Sequence, residues 1–349
     1  MTRILVTGAE GFIGNNIITE LIRNGHEIIA ADITLENAKG MFYDTGYSDI
    51  TKPETIIPLV KNATHIIHTA GLVRLDANPE ALDKVNHMGT RNLLEAVKIH
   101  NPNIEMIVHL SSIGVYGKTR SIFPISEEDI QQPRNTYEIS KCKAEKAVME
   151  YMDKFPIIIL RPSFVYGIGC QHKDALPFFR MLQGKKMPMV KKGPRASHVH
   201  VEDVANAAIF LLNRKDLAGD AFNICNDSPI CLEDFVRAMA EPFDVDVRAS
   251  IPYSPRAMKA MRWLMNRVPK SMIKKSNTYL QKKWNACREK NGIKEGLVPN
   301  ADTAWLDYLA DEKVFSIEKL ESVGFVLQYN SPKDDLRKLA EYYIEKKLA

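Results

Sequence analysis

The sequence predicts a doubly wound α/β fold: a parallel sheet with helices on both faces, joined to a smaller, discontinuous and mostly helical second domain. Three observations predict it. Six short runs, RILVTG, HEIIAAD, THIIHTA, EMIVHLSS, FPIIILRPS and AFNIC, are apolar without alternation, as strands covered on both faces must be. Helical periods separate the runs, which gives a β-α-β order. A glycine-rich turn, TGAEGFIG, joins the first run to the first helical period.

Ile13, Ile17, Ile18, Leu21 and Ile22 form the stripe of the first helix, and Gly25 stops it. Leu93, Leu94 and Val97 mark another. After Arg161 the pattern changes. Residues 168–197 show no clear strand, and residues 229–330 are rich in Met, Lys and Pro and helical in pattern. The expected division is residues 1–167 and 198–228 for the sheet domain, and 168–197 and 229–349 for the second domain with C-terminal helices. A length of 349 residues, 45% hydrophobic and 26% charged, suits a folded chain and excludes wholesale disorder. Five cysteines without C-x-x-C spacing argue against a disulfide framework or zinc site and fit a reducing, cytoplasmic setting. MTRILVTG runs straight into a strand, so no cleavable signal peptide is expected. No apolar run reaches the ~18–20 residues that span a bilayer.

Gly8, Gly11 and Gly14 are spaced G-x-x-G-x-x-G between strand and helix. Glycine there allows a tight turn and close backbone approach to a pyrophosphate. The helix behind supplies N–H groups and a partial positive charge. Phe12 and Ile13 complete the turn, so Gly8 and Gly11–Gly14 are candidate dinucleotide contacts. Asp32 ends the second strand, eighteen residues after Gly14. A carboxylate there accepts hydrogen bonds from ribose hydroxyls and repels a 2′-phosphate. No Arg follows in ITLENAK, whose one cation is Lys39, so NAD is favoured over NADP. Asp49 and Ile50 lie where a residue pair can flank the adenine or simply face solvent.

Tyr137 and Lys141 form a Y-x-x-x-K match, as do Tyr279/Lys283, Tyr329/Lys333, Tyr342/Lys346 and Tyr343/Lys347. Setting separates the first pair. Asn135 and Glu138 read as a capping pair, so a helix starts there and presents Tyr137 and Lys141 on one face. Upstream, the strand EMIVHL ends in Ser111–Ser112, where an open α/β sheet places its chemistry. Carbonyl reduction needs hydride at carbon and a proton at oxygen. A phenol poised from its free value near 10 to about 7 needs roughly 4 kcal/mol of differential stabilisation. A lysine ammonium and a nicotinamide cation can provide it, while the Ser112 hydroxyl polarises the substrate oxygen.

With TGAEGFIG, Asp32, HTAG, VNHMGTRNLLEA, LSSIGVYG, YEISK, LRPSFVYGIG and HVHVEDVANA in this order over residues 1–228, the chain resembles the extended short-chain dehydrogenase/reductase, or NAD-dependent epimerase/dehydratase, family. The resemblance implies that Ser112, Tyr137 and Lys141 form a catalytic triad, with Ser112 rather than Ser111 as the hydroxyl. It further implies that Ala70, Gly71 and Asn86 lie against NAD and that Pro162–Val165 meet the nicotinamide end. Val73, Ser112, Ile113, Ser163, Phe164 and Arg195 are the candidate substrate contacts. It also implies a homodimer.

Family dehydratases carry an acidic pair after the catalytic hydroxyl, where this chain has Ile113-Gly114-Val115. Dehydration is therefore not expected. Phe164 stands where sugar-nucleotide epimerases often place a diphosphate-gripping Asn. PNADTAWLDYLADEKVFSIEKLESVGF is similar to the tail of 3β-hydroxysteroid dehydrogenase-like members. The expected activity is an NAD-dependent ketone/alcohol oxidoreductase. The alternatives are a nucleotide-sugar epimerase or 4-keto reductase on the same triad, and a catalytically silent NAD-binding sensor.

His198 and His200 share a strand face without a completing carboxylate or Cys, so no metal is expected. Residues 256–290 hold eleven basic residues against one acid, net +10, while the rest of the chain carries −6. Met, Trp and Leu are interleaved. The alternatives are a helix pair with a solvated basic face, and a basic amphipathic patch that lies on an anionic membrane or guides a polyanionic substrate. No nucleic-acid reading motif accompanies the charge, so nucleic acid is not an expected partner.

Overall fold

Strand β1 (Arg3–Thr7) starts a chain whose elements then follow as α1 (Phe12–Arg23), β2 (Glu27–Asp32), β3 (Asp44–Tyr47), α2 (Pro53–Val60), β4 (His65–His68) and α3 (Pro79–Leu82). A π-helical turn (Asp83–Met88) leads into α4 (Gly89–His100), β5 (Met106–Leu110), a 3-10 turn (Ile113–Tyr116), α5 (Thr136–Met149), β6 (Ile157–Pro162) and β7 (Phe164–Tyr166). Then come α6 (Leu176–Met181), β8 (Lys186–Lys191), β9 (Arg195–Ala196), β10 (His198–His200), α7 (Val201–Leu212), β11 (Ala221–Ile224), β12 (Ile230–Cys231) and α8 (Leu232–Ala240). The chain closes with β13 (Asp246–Pro252), α9 (Pro255–Met265), α10 (Lys270–Asn291), α11 (Glu318–Ser322) and α12 (Pro332–Glu345). This computed structural model describes residues 2–35, 44–73, 77–117, 123–170, 175–265, 267–294, 297–299 and 311–349. Lys39 and part of the C-terminal segment PNADTAWLDYLADEKVF lie outside them.

The chain forms two units: residues 1–165, 199–225 and 315–328, and residues 166–198, 226–314 and 329–349. The first holds a seven-stranded sheet in the order β11-β6-β5-β4-β1-β2-β3, every pairing parallel. It is a doubly wound Rossmann-type sheet whose order reverses between β1 and β4, where such folds bind nucleotides. The strands read as continuous apolar runs because both faces are covered. Ile4 and Val6 enter one core with α1 and α7, and Leu5 enters the other with α2 and α4. Ile158 and Leu160 of β6 face the first core, Ile157 and Ile159 the second. Each such side chain contributes about 1.5–3 kcal/mol. β3 carries no apolar run: its DTGY is mostly exposed and pairs only with β2 at the sheet edge.

Residues 315–328 complete the first core. Phe315, Ile317, Leu320, Phe325 and Leu327 are buried in it, and Phe325 meets Phe210 at 5.7 Å between ring centroids. Gln328 N donates to Asp203 Oδ1 at 2.9 Å.

The second unit is less helical than expected. β8 and β13 pair in parallel, and β9 and β12 pair antiparallel. The sequence hides β8 because KMPMVK mixes lysine and proline with alternating half-buried positions. Its core includes Phe179 against Phe243 and the buried Trp284, whose Nε1 donates to Leu297 O at 2.6 Å. No described helix is long and apolar enough to cross a membrane.

Candidate active site

The glycine turn leaves β1 at Thr7 at the sheet's reversal point. Gly8 sits at φ +72°, a left-handed conformation that L side chains rarely adopt, and its missing Cβ would lie 2.7 Å from Ala70 Cα. A Cβ on Gly14 would lie 2.1 Å from Gly8 O. The turn is pinned by Gly8 N and Ala9 N, which donate to Ala31 O at 2.8 and 3.2 Å. Gly11 caps α1 and offers no side-chain cap, so Phe12 and Ile13 open the helix with a positive N-terminal end. Asp32, half-buried at the end of β2, accepts from Glu10 N at 2.9 Å and Ile33 N at 2.7 Å, which fixes its carboxylate beside this turn. The cradle fits a dinucleotide: it is backbone-lined, closed to Cβ atoms and acidic where a ribose would sit.

Helix α5 begins in a capping box. Glu138 N donates to Asn135 Oδ1 at 2.9 Å, and Asn135 N donates back to the Glu138 carboxylate. In its first two turns, Tyr137 and Lys141 are both buried. Ser112, after β5, accepts from Gly114 N at 3.0 Å. A Cβ on Gly114 would lie 3.3 Å from Ser112 Oγ and 3.7 Å from Tyr137 Cε1, so no side chain separates the two. Lys141 Nζ donates to Leu110 O at 3.0 Å and stands 3.5 Å from the Cβ that Gly71 lacks. Burial raises the Tyr137 phenol to about 12, against the lowering influence of the Ser112 hydroxyl, and lowers Lys141 to about 8, against the pull of Glu145. The electrostatic demand on this site therefore exceeds what a free phenol would need. From about 12, reaching neutrality takes roughly 7 kcal/mol rather than 4.

A polar chain that sequence reasoning largely missed supports these groups. Asn86 lies in the π-helical turn, takes Leu72 N at 2.7 Å on its Oδ1, and donates to Leu72 O at 3.1 Å and Ser140 Oγ at 2.9 Å. Ser140 Oγ donates to Tyr137 O at 2.7 Å. On the other side, Thr90 Oγ1 donates to Asn86 O at 2.6 Å and meets His68 Nε2 at 3.0 Å, while His68 Nδ1 meets Thr7 Oγ1 at 2.7 Å. The residue before the glycine turn is thus linked to the backbone of Tyr137. Burial lowers His68 to about 3 and His109 well below its usual value, so neither adds a cation beside Lys141.

Behind Lys141, Glu145 is fully buried and forks onto Arg161, with Nε to Oε1 at 2.9 Å and Nη2 to Oε2 at 2.8 Å. Arg161 Nη1 donates to Tyr116 OH at 2.8 Å, and Tyr116 OH donates to Asn223 Oδ1 at 2.8 Å. The only trace of this pair in the sequence is Glu145 at i+4 from Lys141.

The other candidates are spread more widely. Ala70 and Gly71 adjoin the turn and Lys141, as described. Pro162 is buried at the end of β6, and the Ser163 hydroxyl beyond it is buried without a partner among the described residues. Phe164 and Val165 are partly buried against the first core. Ile113 is buried, whereas Val73 is exposed. Asp49 accepts from Thr51 N and Oγ1 at 3.0 and 2.8 Å, which lowers its carboxyl. The Ile50 side chain packs where Gly89 has no Cβ, 2.7 Å from that absent atom. Arg195 belongs to the second unit and forks onto Glu312 at 2.9 and 3.2 Å. His198 stacks on Phe235 with centroids 5.3 Å apart, and His200 caps α7.

A family model described as the NAD dependent epimerase/dehydratase family matches residues 4–225. Over 273 residues the chain is 29% identical to an Arabidopsis thaliana trifunctional UDP-glucose 4,6-dehydratase/UDP-4-keto-6-deoxy-D-glucose 3,5-epimerase/UDP-4-keto-L-rhamnose-reductase, covering 72% of this chain and 41% of that protein. The match thus spans about two fifths of that relative's length. The chain is 25% identical over 265 residues to the Bos taurus sterol-4-alpha-carboxylate 3-dehydrogenase, decarboxylating, covering 72% of this chain and 73% of that one. The Thermus thermophilus UDP-glucose 4-epimerase, solved in complex with NAD, superposes with a TM-score of 0.69 at 20% identity over 98% of this chain and 99% of that one, a likeness of fold.

Proposed function

The chain belongs to the NAD dependent epimerase/dehydratase family, and from that premise we propose that it is an NAD-using oxidoreductase that interconverts a secondary alcohol and a ketone through Ser112, Tyr137 and Lys141. One observation carries the reading: the Ser112 hydroxyl and the ring of the buried Tyr137 converge on the missing Cβ of Gly114, at 3.3 and 3.7 Å, one helical turn from a buried Lys141 and at the strand ends beside the glycine cradle. Bound NAD would supply the hydride acceptor and a positive charge. Tyr137 moves the proton of the carbinol oxygen. Ser112 donates to that oxygen, stabilising it as charge develops. Lys141 contributes the ammonium that brings the phenol down from about 12. Gly8, Gly11–Gly14, Asp32, Ala70, Gly71 and Asn86 hold the cofactor, and Pro162–Val165 bound its nicotinamide end. The sterol dehydrogenase relative and Phe164 favour an apolar substrate.

The test is NADH absorbance with a panel of ketones and secondary alcohols. Turnover by the wild type, with Tyr137→Phe at least a hundredfold slower yet still binding NAD, supports the proposal. Tight NAD binding with no turnover of any panel member refutes it, and leaves a sensor where sugar inversion is also absent. A second reading, epimerisation of a nucleotide sugar, is favoured by the plant relative's activities. It predicts sugar inversion seen by NMR without net NADH change.

A further inference from the structure

We infer that α9 and the outer face of α10 dock on an anionic lipid bilayer. The surface belongs wholly to the second unit and is independent of the proposed chemistry. No described residue of α9 is buried, an arrangement that an eleven-residue helix alone in water does not sustain. At 100° per residue, Leu264, Ala257, Met261, Met265 and Met258 fall within one 120° arc, while Arg256 and Lys259 fall on the opposite side with Trp263. Trp263 and Leu264 are each 59% exposed and Met261 41%. Arg267 stacks over the Trp263 ring at 3.6 Å, so the indole carries a cation on its face.

Helix α10 divides differently. Its inner side is anchored by the buried Trp284, with Ile273 and Leu280 half-buried. Its outer side shows Lys275, Lys282, Lys283 and Lys290 exposed around Met272 and Tyr279, which are 57% and 61% exposed.

Charge selects the occupant. Residues 256–290 carry net +10, so a second copy presenting the same face would be repelled. A nucleic acid would neutralise the lysines but leave the Leu264–Met261 arc in water. An acidic bilayer takes both: apolar side chains enter the acyl boundary and basic ones meet the headgroups.

The experiment is co-sedimentation of the full chain with vesicles of phosphatidylcholine alone or with roughly one third phosphatidylserine. Binding only to the acidic vesicles, reversed by about 0.5 M NaCl, is expected. The variant Lys275→Gln/Lys282→Gln/Lys283→Gln should bind about a hundredfold more weakly, at about fivefold per lysine. The variant Met261→Ala/Leu264→Ala should also lose binding. These side chains are exposed, and circular dichroism checks that each variant folds. Three results would overturn the inference: no binding to acidic vesicles; binding that survives the Met261→Ala/Leu264→Ala change; or no vesicle binding alongside tRNA binding through the same lysines or a dimer dispersed by Leu264→Ala.

Discussion

Consider Glu145→Gln, which keeps the side-chain volume and removes the charge. Its partner Arg161 is 4% exposed at the side chain and Glu145 is 0% exposed, so no solvent screens the change. The guanidinium would keep Tyr116 OH and lose its counter-charge. Removing one member of a buried pair costs about 3–5 kcal/mol, chiefly because the survivor stays buried and uncompensated. Arg161→Met should cost a similar amount. The double variant Glu145→Leu/Arg161→Met should lie within about 2 kcal/mol of the wild type, since apolar replacement of both ions removes the desolvation penalty together with the attraction. Urea unfolding followed by circular dichroism measures all four proteins in one cycle. A loss below about 1 kcal/mol in the single variants, or strict additivity in the double, would refute the claim that the pair fixes α5 to β6. A second readout concerns Lys141. Glu145 is the charge that raises it, so without Glu145 Lys141 falls further below about 8 and the basic limb of the pH–rate profile should move to lower pH. An unmoved limb would mean that Glu145 acts on stability alone.

Three further outcomes follow from the same geometry. Gly14→Ala places a Cβ 2.1 Å from Gly8 O, so the turn must shift; calorimetry should show NAD affinity falling by at least about tenfold, and wild-type affinity would contradict the cradle. Asp32→Ala removes the carboxylate proposed to meet the ribose, and the NADP-to-NAD ratio of dissociation constants should move toward NADP by roughly an order of magnitude, an unchanged ratio counting against Asp32 as the discriminator. Lys141 titrates near 8 folded and 10.5 unfolded. Below about 8 both states hold the proton and the native state bears the full cost of the buried charge. Between about 8 and 10.5 only the unfolded chain holds it, so stability rises with pH. The wild type should therefore gain roughly 3 kcal/mol over Lys141→Met across that window, and a flat difference would mean that Lys141 is not desolvated.

The first unit was legible because its strands are apolar on both faces, and the start of α5 because Asn135 and Glu138 spell its capping box. β3 escaped notice because an edge strand of Asp, Thr, Gly and Tyr carries no burial pattern. β8 and β13 escaped because a two-stranded ribbon half in water leaves only weak alternation. Within the site, Tyr137, Lys141 and Ser112 could be proposed from the setting of a capped helix after a strand end, since the spacing alone recurs four times, but their electrostatics could not. On α5 the buried face includes Glu138, Lys141 and Glu145, so charge marks the inside of this helix, opposite to the rule that makes amphipathic patterns readable. The chain Thr7–His68–Thr90–Asn86–Ser140 joins residues far apart in sequence through side chains that could equally face solvent, and only the folded chain reveals them as buried.

The insertion of residues 315–328 into the first core has a consequence for biogenesis. A ribosome releases the seven strands of the sheet by residue 224, yet Phe315, Ile317, Leu320, Phe325 and Leu327 emerge about ninety residues later. At ~5–20 residues per second, the nascent sheet waits several seconds with that apolar seat open. Fragments ending before Phe315 should stay chaperone-bound or aggregate, and a transplantable nucleotide module cut from this protein would have to carry its late-synthesised segment, re-attached by a new linker.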